Sequence, residues 1–153
     1  MSDCCESPVH HKRADLAVCK MCAQRGRSVK RITPVSLLLE GCSSRLGPSE
    51  YYYCPTPSCK AVYFSNEDWI YFEKGDLRVR IGQKETEDPV TICYCFEYTR
   101  ATVWNEICTT GKSTVETTIK GKVNAGLCVC EIKNPQGSCC LGNLAKAVQE
   151  GFS

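Results

Sequence analysis

The sequence predicts an α+β protein, in which a small β-rich subdomain precedes a helical subdomain. Three observations predict it. Fourteen cysteines fall among 153 residues; the strand-like runs lie before the polar stretch Gln83–Pro89; and from Thr99 onward apolar residues recur at helical spacing. Ten cysteines form five tight clusters, Cys19/Cys22, Cys54/Cys59, Cys93/Cys95, Cys128/Cys130 and Cys139/Cys140, and four (Cys4, Cys5, Cys42, Cys108) stand outside them. One set of four can be drawn from each half, so the spacing predicts two metal centres.

The elements follow in order. Residues 1–16 read as a flexible N-terminal extension, 17–88 as a zinc-binding subdomain and 89–153 as a [2Fe-2S]-binding subdomain. Val29–Ile32 has an apolar residue at each end and reads as a strand. Glu50–Tyr53 leads into Cys54 and Ala61–Phe64 leads away from Cys59, both as strands. Trp69–Phe72 and Leu77–Ile81 flank a turn at Lys74-Gly75-Asp76, and the second run alternates cleanly. Thr33-Pro34 can cap and start a short helix through Leu37 to Glu40, with Gly41 ending it. The charges of Gln83–Asp88 and the restriction imposed by Pro89 predict an exposed linker.

Downstream, Thr99 caps a helix carrying Val103 and Ile107 and closed by Gly111. Ser113 or Thr114 starts a second, with Val115, Ile119 and Val123 on one face and Gly126 after it. A third runs from about Leu141 through Leu144, Ala145 and Val148 to Gly151. Cys108, near the end of the first helical stripe, is expected in the core.

Composition excludes several functions. A net charge of +2 gives no strongly basic surface, and the cations from Lys20 to Arg31 read as a solvated face, so no nucleic-acid partner is expected. No run approaches the roughly 18 apolar residues of a membrane span. The start Met1–Glu6 has no secretory pattern, so a cytoplasmic, reducing location is expected, with metal ligation favoured over cystines. The two histidines, His10 and His11, lie in the extension, and no glycine-rich phosphate loop is present, so no enzymatic constellation stands out. With Cys4 and Cys5 these histidines could bind copper or zinc, but incidental ligands on a flexible terminus are the expectation.

The first metal set is Cys19, Cys22, Cys54 and Cys59. A CxxC turn brings two thiolates together, and four soft ligands suit a structural Zn2+. The second set comes from Cys93, Cys95, Cys128, Cys130, Cys139 and Cys140. CxC is tight for a zinc knuckle, whereas four thiolates from separate segments fit a [2Fe-2S] cluster. Cys139-Cys140 lies at a helix start, where free amides stabilise thiolates, and Asn134-Pro135-Gln136-Gly137 forms the turn that returns it.

The run Cys93-Tyr94-Cys95-Phe96, then Cys128-Val129-Cys130-Glu131 and Asn134–Asn143, resembles the N-terminal domain of CopZ-type copper chaperones, which is related to the bacterioferritin-associated ferredoxin. The first half matches through its CxxC, Tyr51–Pro55 and Val62–Ser65, so the resemblance covers roughly Ala17 to Val148. It implies a zinc-stabilised β-rich subdomain followed by a helical [2Fe-2S] ferredoxin-like subdomain, with one zinc on Cys19, Cys22, Cys54 and Cys59, and one [2Fe-2S] cluster on Cys93, Cys95 and one member of each later pair. Cys130 and Cys140 are the choice, with Cys128 and Cys139 as alternates. In that family a heavy-metal-associated domain with its own copper-binding CxxC follows; the sequence here stops at Ser153, so copper delivery is not carried over. The expected function is electron transfer or redox support of copper handling with a separate copper-handling or redox protein partner. The alternative is a non-redox interaction module stabilised by its metals.

Overall fold

Aromatic and β-branched residues fit a pleated, half-buried surface, and where they crowd around Cys54 and Cys59 the chain forms an antiparallel meander. The computed structural model describes residues 17–65 and 70–152. Among them β1 (Arg27–Val29), β2 (Tyr51–Tyr53), β3 (Ala61–Ser65) and β4 (Tyr71–Glu73) pair in the order β1-β2-β3-β4. Side chains alternate across the pleat. Tyr51, Tyr53 and Tyr63 therefore meet Leu37, Leu38, Leu77 and Ile81 on one face. Tyr52, Cys54 and Phe64 turn to the other, with Ala17, Cys19 and Cys59. Because both faces are covered, β2 and β3 are buried along their whole length. Phe64 stacks between Tyr52 and Tyr71, with ring centroids 5.7 and 6.1 Å away.

Three local expectations need correction. The strand expected at Val29–Ile32 ends at Val29, because Ile32–Leu37 winds into α1. Thr33 is not a cap but is fully buried, its hydroxyl donating to Glu131 O at 2.6 Å. Gly41 does not end the helix: α1 stops at the extended Leu38, and Gly41 lies inside α2 (Glu40–Ser43). In Leu77–Ile81 the alternation is real, since Leu77 and Ile81 are buried. The backbone, however, finds only an isolated bridge from Leu77 to Leu38 and a bond from Arg78 N to Leu37 O at 2.8 Å, so no ladder forms. The turn before it is the 3-10 turn Lys74–Asp76, closed by a capping box between Glu73 and Asp76. Trp69 lies outside the described residues.

The stretch expected to be an exposed linker is also different. Gly82–Lys84 is a second 3-10 turn in which Gly82 and Lys84 are buried, and exposure starts only at Thr86. A hairpin of β5 (Thr91–Cys93) and β6 (Tyr98–Thr99) follows, then α3 (Arg100–Thr110), α4 (Val115–Asn124), α5 (Cys130–Lys133) and α6 (Leu141–Gly151). The hairpin and α5 are too short for periodicity to reveal. Val103, Ile107, Val115, Ile119, Val123, Leu144 and Ala147 form the core of this half, together with Cys93, Cys128, Cys130 and Cys140. Cys108 is exposed rather than buried; it follows the inward Ile107 and is turned about 100° from it. No helix among the described residues is long and apolar enough to cross a membrane.

Thr99 caps α3 as expected, its hydroxyl accepting from Thr102 N at 3.2 Å, and Gly111 closes the helix at φ 75°. Thr99→Ala is expected to cost about 1 kcal/mol, read as a lower denaturant midpoint with an unchanged slope.

Candidate metal centres

The first centre is built by two loops meeting across the sheet. Cys19 starts a knuckle held by Cys19 N–Gln24 O (2.9 Å), Ala23 N–Cys19 O (2.7 Å) and Gly26 N–Ala17 O (2.7 Å). Ala23 takes the left-handed conformation at φ 62°, which turns the chain straight after Cys22. Gly26 lies on the Phe64 ring, where an added Cβ would come within 2.5 Å of Cζ. The second loop leaves β2 at Cys54, whose amide donates to Val62 O at 2.8 Å, and Cys59 N closes on Thr56 O at 3.2 Å.

These loops bring Cys19, Cys22, Cys54 and Cys59 together, with all four sulfurs within 4.8 Å of one another. Cys19 Sγ lies 3.9 Å from Cys59 Sγ, and Cys22 Sγ lies 3.6 Å from Cys54 Sγ. A tetrahedron of roughly 2.3 Å zinc–sulfur bonds has edges of about 3.8 Å, so the donor set fits zinc. Burial raises the Cys22 thiol, but the Thr56 hydroxyl at 3.2 Å and the Gln24 amide outweigh it and bring it down to about 7. Burial pushes Cys54 up to about 12 and also raises Cys19. Lys84, only 5% exposed, sends its ammonium to Thr56 O (2.6 Å) and Cys59 O (3.1 Å). A buried cation beside a four-thiolate site opposes its negative charge.

The second group of thiols lies where β5, α5 and α6 converge. Cys93 ends β5, Cys130 opens α5 and Cys140 precedes α6. They meet in two pairs: Cys95 Sγ is 3.4 Å from Cys130 Sγ, and Cys93 shares a hydrogen bond with Cys140. Each pair joins one CxC thiol to one later thiol. The bond from Cys140 lowers Cys93 to about 7, and the bond from Cys130 lowers Cys95 to about 6. Cys140 and Cys130 are raised in return, first by those same bonds and then by burial. Val129 N donates to Cys95 Sγ at 3.2 Å, and Lys133 adds positive charge nearby.

Cys128 and Cys139 are disulfide-bonded, whereas Cys93, Cys95, Cys130 and Cys140 are free. The preference for metal over cystine therefore fails at these two positions. Cys42 contacts the Asp76 carboxylate at 3.4 Å and joins neither centre. Cys4, Cys5, His10 and His11 lie outside the described residues. Sequence reasoning missed Thr56, Lys84 and the Val129 amide; Lys84 sat in a charged stretch that read as solvated, and an amide carries no side-chain signal.

A family model described as a zinc binding domain, of CopZ type, matches residues 16–78, the segment that holds all four thiols of the first centre. The chain carries a CopZ-type zinc-binding domain. A homologue of it, the copper chaperone CopZ of Archaeoglobus fulgidus, is 35% identical over 129 residues, which are 84% of this chain and 60% of that protein. The chain thus spans less than two thirds of that relative. The X-ray structure of the A. fulgidus CopZ N-terminal domain matches with a TM-score of 0.70 at 31% identity, over 89% of this chain and 98% of that one. The mixed α and β architecture is shared with that domain. The family model's match ends at Arg78, so the second group of thiols lies beyond that match.

The thiolate is the nucleophile in alkylation, and this gives a test of the charge pattern. In metal-free protein shown by circular dichroism to keep its fold at pH 7, iodoacetamide should label the half-exposed Cys22 and Cys95 well before Cys54. As pH falls, thiolate is lost through about 7 at Cys22 and through about 6 at Cys95. Labelling should therefore fade first at Cys22, as peptide mass mapping would show. Early labelling of Cys54 would contradict the ordering.

Proposed function

We propose that the chain is a non-enzymatic metal protein carrying one structural zinc on Cys19, Cys22, Cys54 and Cys59 and one [2Fe-2S] cluster on Cys93, Cys95, Cys130 and Cys140. Its role in this reading is electron transfer or redox support of copper handling in the cytoplasm. The observation that carries the cluster is the pairing of the second group: two pairs of thiols, each with one sulfur from the CxC loop, supply the four soft donors that would hold such a cluster. When bound, the cluster supplies a one-electron couple.

The chain's own groups suit that load. Amides of Val129, Phe96 and Cys140 point at Cys95, Cys93 and Cys130 respectively, and spread the negative charge of the thiolates. Val129, at the Cys95 edge, is 41% exposed, which leaves a short path to a partner. The link to copper rests on the homologue named a copper chaperone; the implied partner is a copper-handling or redox protein.

Metal analysis on one anaerobic preparation tests the reading. Two irons, two acid-labile sulfides and one zinc per chain are expected, with a reddish-brown colour that dithionite bleaches by one electron. Cys95→Ala should abolish the colour, and the exposed Cys108→Ala should leave it intact. Colourless protein holding zinc alone would replace the electron-transfer reading with a metal-stabilised interaction module.

A further inference from the structure

Residues 82–84 touch the loops that carry both groups of thiols, and each of the three makes its own contact there. Gly82 N donates to the Tyr94 hydroxyl at 2.8 Å, and Tyr94 is the middle residue of the CxC. Tyr94 is anchored in turn, its hydroxyl donating to Arg80 O at 2.5 Å. Gln83 accepts from the Tyr53 hydroxyl at 2.8 Å and donates to Gln136 Oε1. Lys84 binds the carbonyls of Thr56 and Cys59 in the zinc loop.

Gln136 carries the chain of bonds onward. It is 3% exposed, and its Nε2 donates to Cys139 O at 2.9 Å, immediately before Cys140. Its Oε1 also accepts from Asn143 Nδ2 at 3.3 Å, in the first turn of α6. A continuous run of bonds thus joins the Cys54–Cys59 loop to the CxC loop and to the Cys139-Cys140 turn. Buried polar networks of this kind hold their members in one arrangement, because an unmet polar group inside the protein is costly.

We infer that Gln83 and Lys84 are positioning residues that couple the two centres, so that zinc on the first quartet preorganises the turn that presents Cys140. Metal binding at Cys54 and Cys59 fixes the carbonyls that Lys84 grips. That fixes residues 82–84, and these fix Tyr94 and Gln136. The inference rests on the zinc reading of the first quartet; it does not depend on what fills the second.

The test uses the full chain as purified and reads amide hydrogen exchange in the turn of residues 134–137, a signal that needs no iron. Cys22→Ser weakens the zinc site. Gln83→Glu keeps the acceptor for Tyr53 but removes the amide that donates to Gln136. Cys22→Ser alone is expected to speed exchange in this turn about tenfold, within the usual range of coupling between sites. In the Gln83→Glu background the same change should speed it less than twofold.

Thr33→Val, which cuts the separate contact to Glu131, should leave the tenfold effect in place. If Gln83→Glu does not fold, Lys84→Met breaks the link at the zinc end and takes its place in the cycle. An equal effect of Cys22→Ser with and without Gln83 would overturn the relay and leave general unfolding as the cause. No effect in either background would make the two sites independent. A colourless preparation that still shows the non-additivity would sink the iron–sulfur reading and leave the coupling standing.

Discussion

Cys22→Ser is expected to strip most of the zinc and to lower the melting temperature as far as the loss of any other ligand of the first centre. Apparent binding free energies of structural zinc run to about 10–16 kcal/mol, and that energy is folding energy. An equal share among four ligands puts the loss at about 2.5–4 kcal/mol, a large part of a domain's usual stability of about 5–15 kcal/mol. For a chain of this size that corresponds to a fall on the order of 10 °C. Zinc analysis and calorimetry on the same sample check it. Full zinc content with an unchanged melting temperature would remove Cys22 from the site.

The second large effect is expected at Gly82. A Cβ there would lie 1.9 Å from Thr91 O and 3.0 Å from Thr91 C, and both atoms belong to the backbone of β5. No rotamer change relieves such a clash, so Gly82→Ala must push the 3-10 turn away from the hairpin. That separation also endangers the bond from Gly82 N to Tyr94. A cost above about 3 kcal/mol is expected, seen as a lower denaturant midpoint. Gly121→Ala provides the contrast. It lies in α4 with nothing within 4 Å of its added Cβ, and it should stabilise by up to about 1 kcal/mol. Equal tolerance of both substitutions would mean that residues 82–84 are not packed as described.

Local chemistry made much of the protein legible in its sequence. Thr99 and Gly111 announce a helix because a cap hydroxyl and a left-handed terminator act within a few residues of their own position. The stripe of Val115, Ile119 and Val123 announces another, because burial follows the helical period directly. Tyr51–Tyr53 and Ala61–Ser65 pair as strands, and alternation along β2 puts Cys54 on the same face as Tyr52. The four cysteines gathered at the first centre were legible for a similar reason, since a CxxC turn brings its own two thiols together.

What the sequence could not determine depends on partners far along the chain. The alternation in Leu77–Ile81 is correct for burial but silent about whether a neighbouring strand is free to pair, and among the described residues it finds only the bridge from Leu77 to Leu38. Thr33 looks like a helix cap until the Glu131 carbonyl, 98 residues away, claims its hydroxyl. Gln83 and Lys84 have the composition of a solvated linker. Only the fold surrounds them with Thr56, Cys59, Tyr53 and Gln136, whose carbonyls and side chains satisfy the buried ammonium and amide. Six cysteines competed for the second group, and spacing alone left two open choices. Tertiary packing decided which free thiols meet, because the end of β5 and the starts of α5 and α6 pack into one core that holds Cys93, Cys130 and Cys140. Residue type and spacing determined which chemistry was possible in each half. Long-range burial and hydrogen bonding decided which residues were brought together to carry it.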